Sequence, residues 1–204
     1  MRLWLVRHGE TQANVDGLYS GHTPTPLTAR GEQQARRLGE LLHAVPFNQV
    51  LCSELARTQH TADLLLNTRT PPRSTTPLLN EMFFGDWEMR HHRDLQQEDA
   101  ARYAAWCADW QHVAPGGGED FQTFAGRVRG MIDALQHYRH LDHLLIVSHQ
   151  GTLSLLLALL LEMPPASLWH FRIEQGAWSA VDIDEDFATL RVLNSRAEWA
   201  EQDG

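Results

Sequence analysis

The chain has 204 residues, 43% of them hydrophobic and 21% charged, and a net charge of −9. That suits a single globular domain over residues 1–204 and argues against nucleic acid or an anionic membrane as its main partner. All 17 basic residues are arginine, which excludes a Schiff-base or P-loop lysine and leaves any oxyanion to arginine, histidine and backbone N–H groups.

In chain order, residues 3–6 form a short apolar run that reads as a buried strand ending at Arg7-His8-Gly9. Thr28 opens a helix with Ala35, Leu38, Leu41 and Leu42 at helical spacing, and Pro46 stops it. Residues 49–52 read as a second strand, with Ser53 as the N-cap of a helix running to about Leu66. Residues 67–77, rich in Thr and Pro, read as a loop, and residues 78–92 as aromatic and irregular. Helices follow over about 94–110 and 120–138, separated by Pro115-Gly116-Gly117-Gly118. Residues 144–147 are a third strand ending at Ser148-His149-Gln150-Gly151, before an apolar helix over 152–161. Residues 178–183 and 189–193 close the chain as two strands. This alternation predicts an α/β fold, a three-layer α/β/α sandwich with a mostly parallel central sheet.

Ligands of such sheets bind beyond the carboxyl ends of the strands, and His8, Ser53 and His149 each follow a predicted strand. Two arginines, Arg7 and Arg57, and two histidines therefore converge on one sheet edge. That is a pocket for a tetrahedral dianion. A neutral imidazole at His8 can attack phosphorus, and Gly9 permits close approach of the backbone. Arg7 and Arg57 favour the neutral form of His8, and His149 suits a charged donor. The leaving alkoxide needs a proton donor, best a carboxyl group. Glu81, beside Met82, Phe83 and Phe84, is the candidate, with Asp86 and Glu88 as competitors.

These residues carry a family resemblance. Leu5-Val6-Arg7-His8-Gly9-Glu10-Thr11 with Asn14, then Pro26-Leu27-Thr28-Ala29-Arg30-Gly31, then Ser53-x-Leu55-x-Arg57-Thr58, then Asn80-Glu81 with Gly85-Asp86-Trp87-Glu88, and last Ser148-His149-Gln150-Gly151, resemble the histidine phosphatase superfamily, the branch that also holds the cofactor-dependent phosphoglycerate mutases. The resemblance implies a phosphohistidine at His8, phosphoryl oxygens held by Arg7, Arg57 and His149, and Glu81 as proton donor and later as the base that activates water. It places Asn14 as a polar contact to the phosphate and calls for no metal or other cofactor. Gln150 stands where glycine is common after the histidine, and Met89 where glycine often follows the Trp-Glu pair, so both bear on substrate choice. The stretches 80–92 and 169–172 are similar to the cobalamin-pathway members of the superfamily, implying α-ribazole 5′-phosphate or the corresponding cobalamin phosphate as substrate. Absence of the mutases' extra length implies hydrolysis over phosphoryl return. A mutase, a sugar-phosphate phosphatase and a non-catalytic module that binds phosphorylated ligands are the alternatives.

Phe83, Phe84 and Trp87 flank Glu81 and are candidates for holding an apolar substrate moiety, whereas Trp106 and Trp110 are expected in the core. His137, His140 and His143 lack a completing carboxylate or cysteine cluster and read as solvated helix-end residues, not as a metal site. The acidic run over 182–186 reads as a solvated turn. Cys52 and Cys107 are too few for a disulfide scaffold. The longest apolar stretch, residues 153–161, is about half of a membrane span, and residues 1–20 show no signal-peptide pattern, so a cytoplasmic location is expected. The sequence leaves the oligomeric state open.

Overall fold

The structure, a computed structural model, describes residues 1–185 and 187–200. Asp186 of the acidic run and residues 201–204 lie outside that description. Six strands, β1 (Arg2–Arg7), β2 (Gln49–Cys52), β3 (Arg73–Thr75), β4 (His143–Ser148), β5 (Trp178–Asp184) and β6 (Phe187–Ser195), form one sheet in the order β3-β2-β4-β1-β5-β6. The first four in that order run parallel, and β5 and β6 are antiparallel. The expected α/β sandwich with a mostly parallel sheet is the fold found.

The continuous apolar runs of β1 and β4 follow from burial on both faces. Leu3 and Leu5, with Leu144 and Ile146, face α6 (Phe121–Leu135) and α7 (Gln150–Leu160), while Trp4 and Val6, with Leu145 and Val147, face α2 (Ala29–Leu41) and α3 (Ala56–Leu66). Successive side chains point to opposite faces of a strand, so each run feeds two cores at once. The Thr28 hydroxyl accepts from the Gly31 N–H, and the Asp120 carboxylate accepts from the Thr123 N–H, which fixes where α2 and α6 begin.

Four local expectations differ from the structure. The exposed strand β3 lies inside the predicted 67–77 loop, paired with β2 as an edge; its polar residues carry no burial signal. The helix expected over 94–110 is two helices, α4 (His92–Glu98) and α5 (Ala100–Ala108). They part at Asp99, whose carboxylate accepts from Trp87 Nε1 and Arg102 Nε. A four-residue helix, α1 (Gln12–Val15), was not expected; a capping box between Thr11 and Asn14 starts it. Ser53 is not the N-cap of α3. That position is Leu55, without a side-chain cap, because the Ser53 hydroxyl is engaged with Thr58 and His149.

Candidate active site

The carboxyl ends of β1, β2 and β4 meet because β4 lies between the other two and pairs with both in register, Arg7 opposite Ser148 and Cys52 opposite Val147. Each strand then releases its functional residue at the same height. The His8 N–H donates to Ser148 O at 3.0 Å and the Ser53 N–H to Val147 O at 3.3 Å. The rings of His8 and His149 come to 5.2 Å between centroids.

His8 is 4% exposed, and its Nδ1 lies 2.7 Å from Gly9 O. A carbonyl only accepts, so Nδ1 carries the proton and Nε2 keeps its lone pair for attack. Burial first, then the charges of Arg57 and Arg7, push the His8 imidazole well below its ordinary range. Gly9 serves this orientation through its carbonyl. Its own N–H donates to Thr61 Oγ1, and a Cβ there would meet Gly31 O at 2.3 Å, so the missing side chain admits α2.

His149 Nε2 lies 2.8 Å from Ser53 Oγ, which lies 2.8 Å from Thr58 Oγ1, which in turn lies 2.8 Å from Leu55 O. Because the last member is a carbonyl, Thr58 donates to it, Ser53 donates to Thr58, and His149 Nε2–H donates to Ser53. Burial, followed by Arg57, His8, Arg7 and His22, pushes the His149 imidazole well below its ordinary range. The expectation of a charged His149 is therefore not met by the protein's own groups; a phosphate dianion is the charge that would restore it.

Arg57, 3% exposed, donates to the carbonyls of Gly21 (2.6 Å), Ser20 and Thr23 (both 3.4 Å). Arg7 donates to Gln150 Oε1 at 2.9 Å and Ile173 O at 3.1 Å. Burial outweighs the charge of Glu81 and lowers the pKa of both arginines. Arg7 Nε, Arg57 Nε and His149 Nδ1 are buried without a hydrogen-bond partner. Unpaired buried nitrogens beside two guanidinium groups are the signature of a site built for an anion. Gln150 thus orients Arg7, and its Nε2 donates to Ser154 Oγ at 3.1 Å. Asn14 Oδ1 accepts from Thr11 and from Gln175 Nε2, leaving its amide nitrogen as the group able to meet a phosphate.

Glu81 sits on the first turn of α7, just after His149, whereas Glu88 acts on the cluster only through its charge on Arg57. Glu81 Oε2 accepts from the Gly151 N–H at 2.9 Å, and Glu81 Oε1 from the Met82 and Thr152 N–H groups, both at 3.1 Å. A Cβ on Gly151 would stand 2.7 Å from Oε1, so glycine is what lets the carboxylate sit on the first turn of α7. Asp86 is exposed beside Arg102. Glu88 is half-buried and accepts from the His22, Thr23 and Phe84 N–H groups; burial raises its pKa, but these hydrogen bonds win and hold it low.

A cavity of about 480 Å³ opens beside Glu81, and Tyr19, Phe84, Trp106, Trp110, Trp169 and Phe171 form much of its wall. A larger cleft of about 960 Å³ lies around Met1, Trp4 and Trp199, at the opposite end of β1 from His8.

Residues 3–196 match the family described as the histidine phosphatase superfamily (branch 1). The chain belongs to that superfamily. It is 65% identical over 197 residues to a protein of Escherichia coli (strain K12) named adenosylcobalamin/alpha-ribazole phosphatase, covering 97% of each. It is also 65% identical over 199 residues to a protein of the same name from Salmonella typhimurium, covering 98% of each. The crystal structure of the alpha-ribazole phosphatase from Shigella flexneri superposes with a TM-score of 0.97 at 65% identity, covering 99% of this chain and 100% of that one.

For this histidine phosphatase the aromatic expectations need revision. Trp87 is fully buried, bonded to Asp99 and packed on Tyr19, Tyr103 and Trp106, so it is core and cannot hold substrate. Phe83 is 36% exposed and lies against the His22 ring, outside the cavity wall, so of the three candidates Phe84 alone lines it. Trp106 and Trp110, expected in the core, line the cavity instead. Met89, at φ +59°, occupies the left-handed region that favours glycine, which accounts for glycine in the family pattern there. The Ser53–Thr58 relay, His22, whose Nε2 donates to Glu81 O at 2.9 Å, and Arg172 beside Arg7 were not singled out in the sequence. Arg172 lay within a family-like stretch, which was its only signal.

Two buried histidines with depressed pKa values also shape stability. In the folded protein they stay neutral below pH 6.5, whereas unfolded histidines become protonated there. The unfolded state binds more protons, so stability falls as pH drops from 6.5 toward the lower folded values. The slope reaches about 1.4 kcal/mol per pH unit for each histidine. Urea titrations from pH 7.5 to 5 should show a shallower decline in His149→Asn than in the unsubstituted protein. Parallel curves would mean that His149 is not held neutral.

Proposed function

We propose that the chain is a phosphomonoesterase that forms a phosphohistidine on His8 and dephosphorylates α-ribazole 5′-phosphate or the corresponding adenosylcobalamin phosphate, in the cytoplasm. In this reading His8 Nε2 attacks phosphorus while Arg7, Arg57 and protonated His149 hold the phosphoryl oxygens, with the Asn14 amide as a further contact. Such transfer relies chiefly on positioning and on electrostatic stabilisation. Glu81 Oε2, with a single backbone donor against two on Oε1, has room to deliver a proton to the departing ribose oxygen. Once that oxygen has left, the same carboxylate takes a proton from the water that hydrolyses phosphohistidine.

The carrying observation is the aromatic cavity beside Glu81. A leaving group must extend from the phosphate past the acid, and here it meets Phe84, Trp106, Trp110 and Trp169. Flat aromatic walls suit a benzimidazole riboside and poorly suit the small, highly charged phosphoglycerate. The names of the relatives agree with that chemistry. Free thiols at Cys52 and Cys107 suit a reducing compartment, and among the described residues no helix is long and apolar enough to cross a membrane.

The test is a panel of phosphate esters. We expect kcat/KM to be highest for α-ribazole 5′-phosphate, with phosphoglycerate at least tenfold lower. Trp169→Ala, at an exposed cavity residue, should cost the ribazole ester about tenfold in kcat/KM, in line with aromatic stacking worth ~1–3 kcal/mol. Equal or better turnover of phosphoglycerate would overturn the assignment.

A further inference from the structure

The ion pair of Arg127 and Glu119 stands outside the phosphate site, and nothing in the chemistry above requires it. Arg127 lies on α6, and Glu119 just precedes that helix. The pair is bidentate, Nε to Oε1 at 3.0 Å and Nη2 to Oε2 at 2.9 Å, with side chains only 18% and 12% exposed. A partly buried ion pair persists when its remaining donors and acceptors are also satisfied. Here those bonds all go to one segment. Arg127 Nη1 donates to Asn80 O at 2.7 Å and Pro77 O at 2.9 Å, and Nη2 donates to Glu81 O at 3.2 Å. Glu119 Oε2 accepts from the Phe83 N–H at 3.3 Å, and the Glu119 N–H donates to Phe83 O at 2.8 Å. One charged pair thus bonds the main chain on both sides of Glu81, beside the bonds of His22 Nε2 to Glu81 O and Thr152 Oγ1 to Asn80 O.

We propose that Arg127 and Glu119 are positioning residues for proton transfer by Glu81. This rests on Glu81 being the acid. Residues 80–83 form no helix or strand of their own, so few regular backbone hydrogen bonds fix the Glu81 Cα. The guanidinium also lies 5.2 Å from the Phe124 ring centroid, and Phe124 lines the leaving-group cavity. The same pair thus ties the acid to the wall that receives the departing group. A shift of about 1 Å in such a group can cost on the order of a hundredfold in rate. Lysine cannot reproduce the contacts, since a single ammonium lacks the planar fork that reaches three carbonyls and a carboxylate together.

The experiment compares Arg127→Met, Arg127→Lys and Glu119→Gln with the unsubstituted chain on α-ribazole 5′-phosphate, a poor leaving group, and on 4-nitrophenyl phosphate, a good one. Thermal melting is recorded in parallel. The expected result is a loss of kcat/KM, which reports transfer to His8 and not the later hydrolysis common to both esters, about tenfold greater on the ribazole ester than on the nitrophenyl ester for Arg127→Met. KM should stay within about twofold, and Arg127→Lys should recover only part of the loss. Proportionate losses on both esters would overturn the proposal and make the pair a stability element. Should Arg127→Met fail to fold, Arg127→Lys and Glu119→Gln decide by the same ratio. Glu81→Gln runs alongside: if it lacks leaving-group selectivity, the acid assignment itself fails. If it has that selectivity while the Arg127 and Glu119 variants do not, only the positioning role fails.

Discussion

His8→Ala is expected to reduce turnover by at least about 10⁴-fold, equivalent to ~5.5 kcal/mol of lost barrier reduction. Alanine removes the atom that bonds to phosphorus, and no neighbour can replace it. His149 donates its Nε2–H to Ser53 and takes up a proton on Nδ1 when the dianion arrives, so it has no lone pair to offer, and the arginines carry no usable one. Phosphate binding should survive, because Arg7, Arg57 and their unpaired nitrogens remain. The measurement is single-turnover kinetics with acid quench. The unsubstituted protein should accumulate an acid-labile phosphoprotein, whereas His8→Ala should show none while still binding vanadate. A variant that keeps one-tenth of the activity would mean that His8 is not the nucleophile.

Glu81→Gln should divide substrates by leaving group. An alkoxide such as the ribose 5′-oxygen needs protonation as it departs, so its esters should lose about 10²–10⁴-fold. Nitrophenolate leaves unassisted, and its ester should lose far less in the first step. Glutamine keeps one carbonyl oxygen for the Met82 and Thr152 N–H groups, but its amide opposes the Gly151 N–H now bonded to Oε2. A modest general loss is therefore expected beneath the selective one. Equal losses on both esters would remove Glu81 from the acid role.

Other titratable groups around the site shape the response to pH. His8 is held neutral by burial and by two guanidinium charges, so nucleophilic capacity should persist below pH 6.5, where an exposed histidine would be protonated. His149, kept low by burial and then by the same arginines, must gain its proton when the dianion arrives. Binding of a non-titrating anion such as sulfate should then take up protons.

Much of this was legible along the chain. Short continuous apolar runs mark β1, β2 and β4, helical spacing of apolar residues marks α2, and an apolar stretch marks α7. Burial on both faces is what writes a strand as a continuous apolar run. The strand-end positions of His8, Ser53 and His149, and an all-arginine basic complement, already imply an anion site. Local capping chemistry at Thr28 and Asp120 is equally local in cause. Elements without a burial signal stayed hidden: β3 is polar and exposed, and the break at Asp99 depends on Trp87, twelve residues away.

Tertiary structure decided the rest, for a consistent reason. Periodicity says that a residue is apolar-facing, but not whether its neighbour will be packed protein or a ligand-sized gap. Trp87 and Trp106 therefore look alike in sequence, yet one is sealed in the core and the other lines the cavity. Which strand lies between β1 and β2 is likewise a long-range choice, and the insertion of β4 is what brings His149 against His8. The residues along the chain specify the chemistry available, arginine and histidine at strand ends with a carboxylate in between. Only the packing of α6 and α7 over the sheet decided which carboxylate sits on the first turn of α7 and which aromatics line the cavity beside it.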